Sequence, residues 1–437
     1  MHLFVLGGGL SAISASLFLQ NKEKIDKITI LEKEETLGGL CRTYETHGIE
    51  WDVGPHIIFS KDKEVLNFMN NSLAENNIKH RRSNRIIHDK RLVQYPFEND
   101  LSKLSEHDTF ICLNGFLHNP YVGYPASNML QFFLRTFGEG ITNMYLRPYN
   151  EKIWKFDPSF MDTQMVERIP RPPKEDIIKS ANGQTVDGYI HQLYFNYPRI
   201  GGTEALIKAL VKMFSEKVEV LTCANVEAVA KRDNKFLITA SGKTHVADKV
   251  ISTIPLDQLV RMYRPESQLP EDVKDCADHL RHNSIAICIV NVKKDLAGDN
   301  YAFMIADRNI IFHRISKLDF MGKGYHLKDT ATYMAEVTFR KDDIYDKMSD
   351  DEMKKQVIKG LELIGFIESS ADVNFAEIRR FDYAYVIYDL MHKQNTSRII
   401  DYLSKEGLDV NGRFGSFEYL NMDAVIRQSM SLASRFQ

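Results

Sequence analysis

Residues 1–32 alternate between apolar runs and a glycine turn in the order expected of a β-α-β unit. An apolar run (HLFVL) leads into a glycine turn (GGGLSA), a helical segment (ISASLFLQ) follows, and a second run (KITILE) ends at Glu32. Glycines at such a turn let the backbone approach a pyrophosphate, which the N-terminus of the helix favours. The pattern predicts a dinucleotide-binding turn at Gly7 and Gly9, with Glu32 bonded to a ribose hydroxyl. Because Ala12 replaces the third glycine of the fingerprint, a plain strand-to-helix turn also fits.

Beyond this unit the pattern first turns helical and then strand-like. Residues 61 to about 195 are rich in helix formers and aromatic residues, with breaks at prolines, which predicts a mainly helical insertion. Residues 218–254 contain short apolar runs between turns, and residues 283–340 alternate apolar and polar positions, so both stretches predict strands. The end of the chain predicts one more glycine turn followed by a helix.

Composition narrows the class of protein without identifying a partner. A chain of 437 residues is long enough for about two or three domains with a large ligand between them. With 56 Lys and Arg against 59 Asp and Glu, the chain has no global basic field, so we expect no nucleic-acid partner. No apolar run reaches the roughly 18 residues of a spanning helix, so we expect no membrane span. Five cysteines without a CxxC pair favour a cytoplasmic location.

Several motifs together resemble one family. The N-terminal unit, the Gly38-Gly39-Leu40 turn, the GPHIIF turn at 54–59 and the GRFGS segment at 412–416 resemble the UDP-galactopyranose mutases. These are FAD proteins of the wider amine oxidase and protoporphyrinogen oxidase superfamily. The resemblance runs nearly end to end. GPHIIF is similar to the bacterial form of the family, whereas YPFEN at 95–99 and RPYNEKIW at 147–154 are similar to the eukaryotic form.

The resemblance implies the fold class and the domain organisation. We expect an α/β protein in which a Rossmann-type FAD-binding domain carries a helical insertion and a β-sheet substrate domain. Residues 1–60, 196–260 and 405–437 would form the discontinuous FAD-binding domain. Residues 61–195 would form the mainly helical insertion, and residues 261–404 the β-rich substrate domain.

The cofactor implied by the resemblance is FAD, active in its reduced form, with NADH or NADPH as the expected reductant. Arg413 matches the arginine that the family places against the flavin, and His56 matches the histidine beside the isoalloxazine ring. The residues expected to bind the cofactor are Gly7, Gly9, Leu10, Ser11, Glu32, Lys33, Gly39, Leu40, Val226, Arg413 and Met422.

The implied catalytic residues form a clamp for a diphosphate. Arg168 and Arg314 match the two diphosphate-binding arginines of the family, and Tyr385 and Tyr419 match its two phosphate-contacting tyrosines. A nucleoside diphosphate needs its charge neutralised, and guanidinium groups can each give paired hydrogen bonds to phosphate oxygens. With His56, these four residues are the predicted catalytic set. Arg168 also fits a solvated loop charge. Tyr385 has Tyr383 and Tyr388 as rivals, and three tyrosines in six residues also fit a half-buried strand.

The predicted substrate-binding residues are Tyr95, Glu98, Asn150 and Trp154. Trp154 also fits a buried core residue, but Asn150 and Arg168 stand at the spacing of the family. Glu98 departs from the family pattern, where glutamine both donates and accepts, because an ionised glutamate only accepts. Uridine remains the expected nucleoside, a base with more donors such as cytosine stays open, and the sugar is not determined.

The function implied by the resemblance is isomerisation of a nucleotide-sugar, with UDP-galactose as the expected substrate. Its pyranose and furanose forms would interconvert through an adduct between the sugar and N5 of reduced FAD, for cell-surface glycan synthesis. One alternative is an FAD-dependent oxidoreductase of the amine oxidase, desaturase or protoporphyrinogen oxidase type, which has no need of a diphosphate clamp. Another is a flavoprotein that binds a nucleotide-sugar without turning it over. A homo-oligomer is possible.

Overall fold

A computed structural model describes residues 1–169, 173–184, 186 and 193–436, with side chains for all of these except those at 167, 168 and 323. The described α-helices are α1 (Leu10–Leu19), α2 (Lys63–Leu73), α3 (Glu106–Leu117), α4 (Met129–Ile141), α5 (Arg147–Trp154), α6 (Lys174–Ala181), α7 (Glu204–Val211), α8 (Leu256–Met262), α9 (Glu271–Asp278), α10 (Asp350–Leu363), α11 (His392–Lys405) and α12 (Met422–Ser434).

The strands are distributed along the whole chain. They are β1 (His2–Leu6), β2 (Lys27–Leu31), β3 (Thr43–Thr46), β4 (Ile49–Asp52), β5 (Ile78–Arg81), β6 (Asn84–His88), β7 (Arg91–Gln94), β8 (Tyr194–Tyr197), β9 (Val218–Leu221), β10 (Val226–Arg232), β11 (Lys235–Ala240), β12 (Lys243–Ala247), β13 (Lys249–Ser252), β14 (Tyr263–Arg264), β15 (His282–Val292), β16 (Ala302–Ile305), β17 (Arg314–Lys317), β18 (Ala331–Phe339), β19 (Val373–Val386) and β20 (Leu408–Val410).

Strands from both ends and the middle of the chain form a five-stranded parallel sheet, in the order β20-β13-β1-β2-β9. Its strands read as continuous apolar runs because both faces are covered. On one face Leu3 and Val5 pack with Ala12 and Ala15 of α1, and on the other face Phe4 shares a core with the antiparallel strands β10 to β12. The carboxyl ends of β1 and β2 meet at one edge, which brings the glycine turns together.

A separate sheet has seven strands, in the order β19-β15-β18-β17-β16-β6-β7. Every residue of β18, and all but the first of β15, is buried. One face packs against α10 through Met353 and Val357, while Ile285 and Met334 belong to the core on the other face. The sheet is therefore covered on both faces, although its sequence alternates apolar and polar residues.

The segment expected to be mainly helical contains α2 to α6 and also contributes two strands to this sheet. β6 pairs in parallel with β16 and antiparallel with β7, so residues 84–94 extend the seven-stranded sheet. The three domain boundaries stay a prediction. Among the residues that the structure describes, none of the helices combines the length and the apolar character that a bilayer crossing requires.

Candidate functional site

A cavity of about 820 Å³ opens at the carboxyl edge of the parallel sheet and extends to the seven-stranded sheet. All residues predicted to bind the cofactor line it: Gly7, Gly9, Leu10, Ser11, Glu32, Lys33, Gly39, Leu40, Val226, Arg413 and Met422. The predicted residues His56, Tyr95, Arg314, Tyr385 and Tyr419 also line it. The structure thus brings sixteen of the predicted residues to one cavity, while their individual roles stay predictions.

Two glycines of the cavity wall, Gly9 and Gly39, approach each other closely. Gly39 has a φ of 58°, and a Cβ atom there would lie 3.1 Å from the Cα of Gly9. Gly9 directly precedes α1, whose first turn carries no acidic side chain. Because neither glycine has a side chain, the N-terminal backbone of α1 stays accessible from the cavity. Its N–H groups and dipole favour an anionic ligand.

The C-terminal turn packs directly onto this helix. Gly412 has a φ of 89°, and a Cβ atom there would lie 1.7 Å from Oγ of Ser11 in α1. The N–H of Gly412 donates to Oε1 of Gln428 in α12 at 2.6 Å. The packing of Gly412 on Ser11 holds the turn that carries Arg413 against the N-terminal unit. Residues from the two ends of the chain therefore share one site.

Glu32 is more deeply engaged in the protein than its predicted ribose contact suggests. Its carboxylate accepts from the N–H of Gly8 at 2.6 Å and from the N–H of Glu34 at 2.9 Å, and it lies 3.3 Å from Nη2 of Arg42. These contacts hold the glycine turn against the end of β2. A carboxylate has about four acceptor positions, so the predicted ribose contact is compatible with them and stays a prediction.

Aromatic rings and one guanidinium form the opposite wall. The rings of Tyr385 and Tyr419 lie 5.7 Å apart, and the guanidinium carbon of Arg413 lies 4.4 Å from the Tyr419 ring. Trp154 packs edge-on behind both tyrosines at 5.7 Å, and its Nε1 donates to Oδ1 of Asn150 at 2.9 Å. Trp154 and Asn150 are absent from the cavity wall, so they support the tyrosines here, and their substrate contacts stay predictions.

Arg314 is held by a buried carboxylate. Its Nε and Nη2 donate to the two carboxylate oxygens of Glu336 at 2.5 and 2.6 Å, and Glu336 is fully buried. Although burial acts to lower it, the charge of Glu336 keeps the pKa of Arg314 well above its usual range. The pair carries no net charge, and a ligand contact from Arg314 would fall to its unused donors, the two N–H groups of Nη1 and the second N–H of Nη2.

His56 lies at the turn after β4 as a neutral ring. Burial, followed by the charges of Arg413 and Arg314, lowers the pKa of His56 to about 3. Its Nδ1 has no hydrogen-bond partner among the described residues, and neither has Nε of Arg413. Both orphaned atoms belong to residues of the cavity wall, so they are available to a bound group.

Of the two remaining predicted residues, Glu98 is not on this wall, and Arg168 cannot be placed on or off it. Glu98 is 1% exposed, and burial raises the pKa of its carboxyl to about 7. Its predicted contact with a base stays a prediction, whereas its neighbour Tyr95 lines the cavity. The side chain of Arg168 lies outside the described residues, and its backbone ends a short helix, Thr163–Arg168.

Arg82, Glu336 and Tyr301 belong to the site but were not predicted. Arg82 lines the cavity, stacks 4.9 Å from the Phe59 ring, and has no described partner for Nε or Nη2. A charged residue inside an apolar strand, as in TYMAEVTF, is a sequence signal that could have identified Glu336. In the part of the chain that the structure describes, no group of three His, Cys, Asp or Glu side chains is arranged to hold a metal.

Parallel strands, a glycine cradle at their carboxyl edge and a facing wall of arginines and tyrosines define a Rossmann-type protein that binds a dinucleotide. The chain belongs to the family of flavin-containing amine oxidoreductases, whose family model matches residues 10–408. Membership of a flavin-containing family supports the prediction that the cofactor is FAD. The glycine cradle and the orphaned Nε of Arg413 and Nδ1 of His56 fit such a cofactor.

The relatives are consistent with the predicted resemblance. A UDP-galactopyranose mutase of Mycoplasma genitalium is 24% identical over 224 residues, 48% of this chain and 51% of that protein. A UDP-galactopyranose mutase of Mycoplasma pneumoniae is 26% identical over 176 residues, 38% of this chain and 43% of that protein. The chain thus spans about half the length of the curated relatives it matches. The predicted membership of the wider amine oxidase superfamily is confirmed by the family match over residues 10–408.

Solved structures confirm the predicted fold class. The crystal structure of a reduced UDP-galactopyranose mutase matches with a TM-score of 0.91 at 23% identity, covering 99% of this chain and 93% of that chain. A wild-type putrescine oxidase bound to putrescine matches with a TM-score of 0.65 at 13% identity, covering 100% and 99%. At these identities the matches show a shared fold, and they include proteins with different reactions.

Proposed function

We propose that the protein is a nucleotide-sugar isomerase of the UDP-galactopyranose mutase type, which interconverts pyranose and furanose forms for cell-surface glycan synthesis. The observation that carries the proposal is the cavity wall opposite the glycine cradle. There Arg314, Tyr385 and Tyr419 face the same space as Arg413 and His56. The two phenol groups and the guanidinium group of Arg314, with Arg168 as the second predicted arginine of the clamp, would hold a diphosphate without a metal ion.

The role of the clamp is to keep the nucleoside diphosphate in place while its bond to the sugar is broken and remade. Tyr385 and Tyr419 would donate hydrogen bonds to phosphate oxygens, and Nη1 of Arg314 would add a charge-assisted one. A leaving group that stays bound reacts again as an intramolecular partner, which removes the entropic cost of a second encounter. Donors held in position before the reaction need no rearrangement, so they would stabilise the developing charge.

FAD, when bound in its reduced form, would supply the nucleophile toward the anomeric carbon of the sugar. The chain contributes binding and charge around it. Arg413 places a positive charge at the wall, and the neutral ring of His56 adds a hydrogen-bonding group without adding charge. NADH or NADPH is the expected source of electrons.

An oxidase on the same fold is the competing function. Hydride abstraction from an apolar substrate requires no diphosphate clamp, so the polar wall favours the isomerase. Oxygen uptake separates the two. We expect UDP-galactose or UDP-galactofuranose to cause no oxygen consumption above the background of free reduced flavin. Stoichiometric reduction of the flavin by either compound would instead favour the oxidase.

The clamp can be tested by binding of UDP to the flavin-loaded protein. We expect Tyr385→Phe and Tyr419→Phe each to weaken UDP binding about 10- to 100-fold, the value of one hydrogen bond to a charged group, while FAD stays bound. Tyr333→Phe is the control, because that phenol is buried with α10 on the other face of the seven-stranded sheet. If UDP affinity is unchanged in both site variants, the clamp assignment is wrong.

A further inference from the structure

The loop that follows β20 is held in an unusual backbone conformation. This loop, residues 411–421, carries Arg413 and Tyr419, and its residue Phe417 has a φ of 54°. A bulky residue rarely adopts this left-handed region, at a cost of about 1–3 kcal/mol. Phe417 is fully buried, so packing restrains its side chain, but the strained backbone needs a restraint of its own.

His392, at the start of α11, supplies that restraint. Its Nε2 lies 2.7 Å from the carbonyl oxygen of Phe417. A carbonyl only accepts hydrogen bonds, so this contact requires the proton on Nε2 and thereby selects the tautomer of the ring. Burial lowers the pKa of His392, which keeps the ring neutral. The side chain therefore acts as a fixed donor to the strained turn.

Tyr388 connects the same loop to a second segment of the site. Its hydroxyl accepts a hydrogen bond from the backbone N–H of Tyr419 at 2.7 Å, and its ring centroid lies 4.3 Å from that of His392. Its carbonyl oxygen accepts from the N–H of Asp162 at 2.7 Å, directly before the short helix that ends at Arg168. Tyr388 thus links the backbones that carry two of the predicted clamp residues.

We propose that Tyr388 and His392 are positioning residues that fix the 411–421 loop, so that Arg413 and Tyr419 face the cavity in the geometry the reaction requires. Neither lines the cavity, so both act through the loop. The catalytic roles of Arg413 and Tyr419, the residues that the loop positions, rest on the proposed isomerase function. A displacement of about 1 Å at a reacting group can cost roughly 100-fold in rate, so losing either contact should lower turnover more than binding.

Three variants and one control separate positioning from general stability. Tyr388→Phe removes the acceptor for Tyr419, His392→Leu removes the donor to Phe417, and His392→Gln retains an N–H donor of similar reach. Tyr402→Phe is the control, because this phenol lies on α11, the helix of His392, and its hydroxyl has no hydrogen-bond partner among the described residues. All four are measured as flavin-loaded proteins.

We expect Tyr388→Phe and His392→Leu to lower kcat about 10- to 100-fold, to change KM for UDP-galactofuranose less than about 3-fold, and to alter the visible flavin spectrum as Arg413 shifts. His392→Gln should recover most of kcat, and Tyr402→Phe should match the wild type. The proposal is overturned if Tyr388→Phe and His392→Leu keep both the wild-type kcat and the wild-type spectrum, or if His392→Gln is as slow as His392→Leu.

The spectrum also separates this proposal from the proposed function. If the wild type does not isomerise the nucleotide-sugar, the proposed function fails, and the spectra and UDP dissociation constants of the same variants still decide whether the loop is positioned by these two residues. Altered spectra in Tyr388→Phe and His392→Leu, restored in His392→Gln, would then support positioning. Unchanged spectra and dissociation constants would overturn it.

Discussion

Individual buried ionisable residues affect the stability of the protein as well as its ligand binding. Glu98 is the clearest case, because burial raises the pKa of its carboxyl to about 7 from an ordinary value of 4.5. The folded protein therefore keeps a proton on Glu98 that the unfolded chain has already released. The stability that this protonation contributes is fully present below about pH 4.5 and is lost as pH rises toward 7.

Glu98→Gln removes this pH dependence while keeping the shape of the side chain. We expect the variant to be more stable than the wild type at pH 8, by on the order of 2–3 kcal/mol, and similar to it at pH 5. Urea unfolding at the two pH values measures the difference. Glu227→Gln, at an exposed position of β10, is the control and should show no such change. Equal stability of wild type and Glu98→Gln at pH 8 would contradict the account.

The Arg314–Glu336 pair separates stability from ligand binding. Glu336→Leu leaves the charge of the partly buried Arg314 without its partner, which costs up to about 3–5 kcal/mol for a fully buried charge, whereas replacing both partners by apolar residues is often nearly neutral. We therefore expect the double variant Arg314→Leu/Glu336→Leu to regain most of the stability lost in Glu336→Leu, as measured by urea unfolding. UDP binding should stay weak in the double variant. A double variant as unstable as the single one, or one that binds UDP normally, would contradict this interpretation.

The sequence identified the residues of the cradle better than the partners of the arginines. Gly7 and Gly9 belong to a local strand-turn-helix pattern, so their place was predictable from neighbours in the chain. Glu336 meets Arg314 because β17 and β18 pair in a register that sets them directly opposite each other. Register depends on which faces are buried and on the connecting turns, and neither could be deduced for two strands covered on both faces.

Among the structural elements, we expect the turn at Gly38 and Gly39 to set how closely the cofactor can approach α1. In Gly39→Ala the new Cβ would press on Gly9, and the residue would keep a positive φ. We expect at least a 10-fold loss of FAD affinity with little change in secondary structure, measured by flavin content and circular dichroism. Each 10-fold step corresponds to about 1.4 kcal/mol.

Gly242→Ala is the matched control for this turn. Gly242 has a φ of 73° in the hairpin between β11 and β12, and a Cβ atom there would meet nothing within 4 Å. Its substitution carries the same backbone cost of roughly 1–2 kcal/mol without touching the cradle, so FAD affinity should stay at the wild-type value. Equal loss of flavin in both variants would show that the cradle contact is unimportant.

The elements themselves were predictable where one period dominates. The first β-α-β unit and the C-terminal turn and helix appear as expected, because each buries a continuous apolar face. β5, β6 and β7 were missed inside the segment predicted as mainly helical. Residues 84–94 form a short, charge-rich hairpin of β6 and β7, and this hairpin joins the large sheet by pairing with β16, more than 200 residues further along the chain. Local propensity cannot register such a partner.

Over the whole molecule, two sheets enclose one cavity that is built from both ends and the middle of the chain. The contact of Gly412 with Ser11 joins the termini at this point. The net charge of -3 over 437 residues is compatible with an anionic ligand, because a few arginines concentrated at the cavity supply the positive charge locally. The fold class was predictable because its signal, a glycine turn between an apolar strand and a helix, is local and repeated at the C-terminus.

Conversion of UDP-galactofuranose tests the central claim most directly. The flavin-loaded protein is incubated with UDP-galactofuranose under anaerobic conditions, with and without a chemical reductant, and the nucleotide-sugars are separated by chromatography. The account predicts conversion to UDP-galactopyranose only when the flavin is reduced, with no net consumption of the reductant. No conversion with reduced flavin by a protein that binds UDP, or conversion that proceeds equally with oxidised flavin, would contradict it.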